Sequence, residues 1–240
     1  MKLVICKDPN DLASRAAFEF VRIAKESISE RGSFVVALSG GSTPILLYKR
    51  LLSADLDWNG VSFYFGDERN VPPDEDASNF RSANRALFRP LRIREDRIFR
   101  WRTELETPEK VAQDYQDRLE DIGPGLPRFD LIFLGMGSDG HTASLFPSTD
   151  ALNERERFAV ANRVHQLGSW RFTLTFPVIN NARNVMFLVA GADKSETLHK
   201  VIEPAKDAGV LPAQSVQPTK GGLIWFVDKA AASKLSAPNI

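Results

Sequence analysis

Residues 129–147 read FDLIFLGMGSDGHTASLFP. Leu131 to Leu134 is an apolar run of a length that suits a strand buried on both faces. Gly135, Gly137 and Gly140 follow at once, and they let the backbone turn tightly and expose its N–H groups. Asp139 and His141, an acid and a base, sit inside that turn. Thr142 to Leu145 is expected to begin a helix that Pro147 keeps short. A buried strand ending in a glycine turn with Asp and His at its tip is a place where α/β proteins carry sites. His141 is read as the chemical centre.

The pattern on either side repeats this plan. Leu3 to Cys6, Phe34 to Leu38, Val61 to Phe65, Val185 to Ala190 and Leu223 to Val227 read as further strands. Between them run helical stretches: Leu12 to Ile28 before Gly32, Ile45 to Leu52, a helix capped by Ser78, and another capped by Thr107. Phe158 to Ala161 and Arg171 to Thr175 are short strands of a less regular section. The loop over residues 66–79, GDERNVPPDEDASN, is dense in charge and proline and reads as too polar for the core. Residues 89–106 are irregular and rich in arginine. Strands alternating with helices predict an α/β fold with a mostly parallel sheet, helices on both faces and a small additional β section. No linker, repeat or low-complexity segment interrupts the chain, so one domain over 1–240 is expected.

Composition narrows the class. The 240 residues carry 31 Lys plus Arg against 31 Asp plus Glu, a balance that gives no reason to expect nucleic acid or a membrane surface as partner. The single cysteine, Cys6, excludes an internal disulfide and any multi-cysteine metal site. The opening MKLVICKDPND has too short an apolar run for a signal peptide, and no stretch is long enough to span a bilayer. A soluble cytoplasmic protein is expected, acting on a small molecule as a monomer or weak dimer.

Four stretches carry candidate chemistry. SGGSTP, residues 39–44, places Gly40, Gly41, Ser42 and Thr43 between a strand and a helix, where free N–H groups at a positive helix terminus suit a phosphate. It lacks the spacing and the Gly-Lys pair of a P-loop, and its plain alternative is a capped tight turn. Lys194 in GADKSET and Arg171 in WRFTLT can supply cations, although either alone reads as solvated surface. Asp67, Glu68 and Arg69 follow their strand as closely as the two glycine loops follow theirs, so all three loops can converge on one sheet edge. A surface salt-bridge cluster is the competing account. His165 and His199 lie in weaker contexts.

Gly135, Gly137 and Gly140 also satisfy G-x-G-x-x-G, with Glu154 and Glu156 near the expected acidic position. Pro147 truncates the helix that a dinucleotide needs, and Asp139 puts a negative charge inside the phosphate turn. The nucleophile elbow of a serine hydrolase and the zinc-protease helix motif are both missing, so neither chemistry is indicated, and no metal is expected.

Taken in order, SGGSTP, FGDERNVPPDEDASN, LGMGSDGHTASLFP, RFTLTFPVINNAR, GADKSETL, LPAQSV and GGLIWFVD resemble the 6-phosphogluconolactonase family from about residue 35 to 228. The resemblance implies a Rossmann-like fold shared with glucosamine-6-phosphate deaminase and ribose-5-phosphate isomerase, and no metal or organic cofactor. It implies hydrolysis of 6-phosphoglucono-1,5-lactone, the second step of the oxidative pentose phosphate pathway. It makes His141 the general base, Asp139 a member of the polar network around it, and Arg69 the stabiliser of charge on the carbonyl oxygen. Gly40, Gly41, Ser42 and Thr43, with Asp67, Arg171 and Lys194, would hold the phosphosugar. The related deaminase shares Asp67, Glu68, Asp139 and His141, but its pattern has a glutamate five residues after the histidine, where Phe146 stands here, and an aromatic residue at the position of Arg69. A non-catalytic sugar-phosphate sensor on the same fold is the reading from another class; it could keep SGGSTP, Arg171 and Lys194 without needing His141.

Overall fold

The structure is a computed structural model that describes residues 1–203 and 211–236. In chain order the strands are β1 (Lys2–Cys6), β2 (Phe34–Leu38), β3 (Val61–Phe65), β4 (Asp67–Arg69), β5 (Leu131–Leu134), β6 (Ala159–Val164), β7 (Ser169–Leu174), β8 (Asn184–Val189) and β9 (Gly222–Asp228). The α-helices are α1 (Pro9–Arg31), α2 (Ser42–Leu51), α3 (Asn79–Ala83), α4 (Arg89–Leu91), α5 (Pro108–Glu120), α6 (Phe176–Asn181) and α7 (Ser195–Ile202). In the sequence GADKSET reads as the start of the last of these, with an end by Pro204 that lies outside the described residues. No helix among the described residues is long and apolar enough to cross a membrane.

Six strands form one sheet in the order β1-β9-β8-β5-β2-β3, and every neighbouring pair is parallel. Strand β5 is buried at all its positions, as its unbroken apolar run requires. Helices cover both faces, and β3 shows how, because its successive side chains point to opposite sides. The Phe63 ring meets Phe88 at 5.1 Å and Trp58 at 6.2 Å, and Trp58 stacks on Phe20 of α1. Tyr64 points the other way, to Phe99 at 4.5 Å and to Tyr115 of α5 at 6.3 Å. Helix α1 is fixed at both ends: the Asp8 carboxylate accepts from the N–H groups of Asn10 and Asp11, and Gly32 closes it at φ 76°.

The chain steps from β2 to β3 on one side and then returns to place β5 on the other side of β2. That reversal opens a crevice beyond the C-terminal ends of β2 and β5, where SGGSTP and GMGSDGH begin. The smaller sheet, β4-β7-β6, is antiparallel and caps the same edge. Gly66 joins the two sheets. Its N–H donates to Leu38 O at 2.9 Å in the main sheet, and its carbonyl accepts from the Leu174 N–H at 2.9 Å in the smaller one.

Two local expectations are corrected. The loop over residues 66–79 is not wholly outside the core. Asp67 to Arg69 form a strand, and Glu68, Ser78 and Asn79 are at most 2% exposed. Burial of the Glu68 carboxyl is tolerated because it is satisfied: it accepts from the backbone N–H groups of Arg69, Asn79 and Phe80, each at 2.8 Å, and from Ser78 Oγ at 3.1 Å. Residues 142–145 do not begin a helix. Leu145 N–H closes a tight turn on Thr142 O at 2.9 Å, with Ala143 at φ 46°. The Thr142 and Ser144 hydroxyls go to tertiary partners, Gly135 O and Asp67, rather than to a helix. Without that helix the G-x-G-x-x-G pattern has no terminus to offer a pyrophosphate.

Burial raises the Glu68 carboxyl above its ordinary range, although three backbone N–H groups oppose it. A raised native value means that the folded chain binds this proton more tightly than the unfolded chain. The group therefore makes stability fall as pH rises above its unfolded value of about 4.3. Urea melts between roughly pH 4 and pH 7 should show that decline flattened in Glu68→Gln. Parallel wild-type and variant profiles would mean that the carboxyl titrates as if free.

Candidate active site

The loops at this edge enclose an open cleft of about 600 Å³. Ser39 and Gly40 from the end of β2, Asp67 and Arg69 from β4, Asn79 from α3, residues 135–139 and His141 from the β5 turn, Arg171 from β7, and Lys194 all line it. The structure thus brings together six of the predicted positions besides Gly40: Asp67, Arg69, Asp139, His141, Arg171 and Lys194 by side chain, with the glycine turn between them. Gly41, Ser42 and Thr43 stand back from the cleft wall. They open α2, which has no side-chain cap, so the leading N–H groups of that helix are left for another acceptor. His165 sits in the turn between β6 and β7, and His199 lies in α7 beside Glu203 at 3.3 Å; neither lines the cleft.

The β5 turn is built to hold His141. Gly140 takes φ 78°, and its carbonyl accepts from the Ala213 N–H at 3.0 Å. Thr197 Oγ1 of α7 donates to Ser138 O at 2.6 Å, which ties the tip to the helix behind it. Asp139 Oδ1 accepts from the His141 backbone N–H at 3.1 Å and pairs with His141 Nδ1 at 2.5 Å. Burial alone would lift the Asp139 carboxyl, but the His141 charge and the hydrogen bonds from His141 together bring it below its ordinary range. A carboxylate can only accept, so it holds the proton on Nδ1 and leaves Nε2 free for another partner. The Phe146 ring stacks on the imidazole at 4.0 Å between centroids. Gly137 is required by close approach: a Cβ there would lie 2.1 Å from His141 Nδ1 and 2.6 Å from Asp139 Oδ1.

The cationic wall comes from one strand pair. Arg69 and Arg171 are register partners between β4 and β7. Like charges directly opposite are unfavourable in a sheet, and here neither guanidinium has a carboxylate ion-pair partner among the described residues. Arg69 donates to Ala77 O at 2.5 Å, and Arg171 donates to Ser169 Oγ at 2.9 Å and Trp170 O at 3.0 Å. Burial first, and the Arg69 charge second, push Arg171 below the usual guanidinium range. An anion docked between them would relieve that repulsion. Lys194 adds a third cation, held at 3.2 Å from Asp193.

Asn79 and Ser144 were not legible as site residues. Asn79 Nδ2 donates to Asp67 O at 2.9 Å and Asp67 Oδ1 at 3.2 Å, while Ser144 Oγ donates to Asp67 Oδ2 at 2.7 Å. Asn79 Oδ1 lies so close beneath Gly40 that a Cβ on Gly40 would come within 1.8 Å of it. In the sequence Asn79 reads only as the residue after a helix-capping serine. Among the described residues, no group of three or more His, Cys, Asp or Glu side chains is placed to hold a metal ion.

The fold and cleft define an α/β protein in which a carboxylate-bound histidine and paired arginines face one sheet-edge crevice. The chain belongs to the family described as glucosamine-6-phosphate isomerases/6-phosphogluconolactonase, whose model matches residues 7–225. The 6-phosphogluconolactonase of Synechocystis sp. is 43% identical over 218 residues, covering 89% of each chain. That of Nostoc sp. is 37% identical over 236 residues and covers 97% of each. Among solved structures, 6-phosphogluconolactonase from Trypanosoma cruzi superposes with a TM-score of 0.88 at 31% identity, over 98% of this chain and 97% of that one.

Gly137→Ala should disrupt the His141–Asp139 pair with little loss of thermal stability, because both displaced side chains are partly exposed. Proton NMR checks this: the downfield Nδ1 proton of His141 should disappear, and its persistence would show that the pair tolerates the methyl group.

Proposed function

We propose that the protein hydrolyses 6-phospho-D-glucono-1,5-lactone to 6-phosphogluconate, with His141 as general base. The observation that carries this reading is the Asp139–His141 pair in one cleft with Arg69 and Arg171. Family membership and relatives named for this activity support it.

In the proposed reaction, water lies against the free Nε2 of His141 and gives it a proton as the oxygen attacks the lactone carbonyl carbon. The carbonyl π electrons move onto oxygen, and Arg69 stabilises that charge in the tetrahedral intermediate. The carbonyl re-forms as the bond to the ring oxygen breaks. The imidazolium returns its proton to that oxygen, leaving a carboxylic acid that ionises in water. Asp139 holds the imidazole in the required tautomer and stabilises its charged form. Arg171 and Lys194 hold the 6-phosphate, with Gly40 and the uncapped start of α2 at Gly41, Ser42 and Thr43 beside them. Asp67 orders the wall through Asn79 and Ser144. Anchoring the phosphate keeps the lactone carbon in register with the base.

Phe146 separates this reading from the glucosamine-6-phosphate deaminase reaction. Ring opening and deamination need several proton transfers, whereas the ring against His141 is apolar and offers no proton.

The test is hydrolysis of freshly generated 6-phosphogluconolactone by purified protein, with the spontaneous opening rate subtracted. His141→Ala should lower kcat by roughly 100- to 10,000-fold, the scale of a lost general base. Near-normal turnover would remove His141 from that role. Lys194→Ala should chiefly raise KM, because a phosphate contact equally strong in ground and transition states leaves kcat alone. An unchanged KM would place Lys194 outside the phosphate site.

A further inference from the structure

A second cavity, separate from the cleft, lies along α3 and α4. It measures about 830 Å³, within the roughly 300–1,000 Å³ typical of small-molecule sites. Arg81, Arg85, Arg89 and Arg92 line it in sequence steps of four, four and three. Residues four apart on an α-helix drift by about 40°. Between α3 and α4, however, residues Asn84–Phe88 form a π turn, closed by the Arg89 N–H bonding Asn84 O. Its wider turn offsets that drift and keeps the arginines on one stripe.

The stripe is only partly neutralised. Arg81 and Arg85 share Asp76, at 2.5 and 3.2 Å, and its side chain is 86% exposed, so these pairs exchange readily for another anion. Arg89 and Arg92 make no ion pair among the described residues, although the acids Asp74 and Glu95 stand on the rim. The floor is apolar, with Phe80, Ile93 and Ile98, and the Arg100 guanidinium lies 5.4 Å from the Phe80 ring centroid. Arg100 is itself held in place by Glu104 at 2.7 and 2.8 Å.

We propose that this groove is a second ligand site that takes a nucleoside polyphosphate, its phosphates along Arg85, Arg89 and Arg92 and its base against Phe80 and Arg100. Guanidiniums in a row match successive phosphates, and an aromatic ring beside a guanidinium plane is a stacking surface for a flat heterocycle. A groove of that volume fits a single small ligand, and the balanced charge of the whole chain argues against an extended nucleic-acid surface. The groove shares an element with the cleft, because Phe80 lines the groove and the adjacent Asn79 lines the cleft. Both backbone N–H groups donate to Glu68.

The test is calorimetric titration of the full chain with metal-free ATP, alongside adenosine and inorganic tripolyphosphate. ATP should bind one per chain, more tightly than either fragment, and equally well in Arg171→Ser and in the presence of saturating 6-phosphogluconate. The double variant Arg89→Ser/Arg92→Ser should weaken binding by about tenfold or more, the scale of losing charge-assisted hydrogen bonds. Both side chains are exposed, so its thermal melt should match wild type. Absence of ATP binding would overturn the proposal, as would its loss in Arg171→Ser or its displacement by 6-phosphogluconate, which would assign the nucleotide to the cleft. Tripolyphosphate binding as tightly as ATP, or an acidic peptide such as oligoglutamate binding in its place, would also overturn it as a nucleotide site.

Discussion

The buried acids at the head of β4 hold this site together. Asp67 and Glu68 leave the main sheet immediately after Gly66, and each is surrounded by donors rather than by cations. A buried carboxylate needs its lone pairs filled, and the available donors are backbone N–H groups, hydroxyls and the Asn79 amide, from β4 itself and two other segments. Satisfying them pins the start of α3, the turn after β5, and β4 itself to one geometry. The cleft is the space left between those segments.

The same arrangement frees the cations. Arginines at an α/β sheet edge ordinarily find a carboxylate neighbour. Here the nearest acids are already committed to backbone and hydroxyl donors, and the register of β4 against β7 sets Arg69 beside Arg171 instead. An anion docked between the two guanidiniums would relieve their repulsion. His141 is prepared by a separate device, a short turn in which Asp139 binds both the backbone and the ring of the residue two positions on. The histidine–carboxylate pair and the arginine pair are therefore organised by different segments, and the strand-order reversal between β2, β3 and β5 brings them to one edge.

The parallel sheet, its strand runs, the helix caps at Ser78 and Thr107, and the candidacy of His141, Asp139, Arg69, Arg171 and Lys194 could all be read from residue order. These are local quantities: hydrophobic period, capping chemistry and glycine spacing act over a few residues, and a titratable pair two apart in a glycine turn has few other shapes available. Where that reading failed, a distant partner overrode local preference. Residues 142–145 look helical until Asp67 and Gly135 claim their hydroxyls. The charged run after β3 looks solvated until Asn79 and Phe80 return to cover Glu68.

The sequence alone determined the fold class and the chemical types gathered at the sheet edge, because periodicity and motif order are properties of the chain itself. Only the tertiary structure decided which of those groups meet. It set Arg69 against Arg171, placed Asn79 beneath Gly40, drew Gly40 to the cleft wall while leaving Gly41, Ser42 and Thr43 at the start of α2, and stacked Phe146 on His141. The reason is that strand register and close backbone approach depend on contacts between residues tens of positions apart, and the stack of Phe146 on His141 follows from a turn whose hydroxyls bind distant partners.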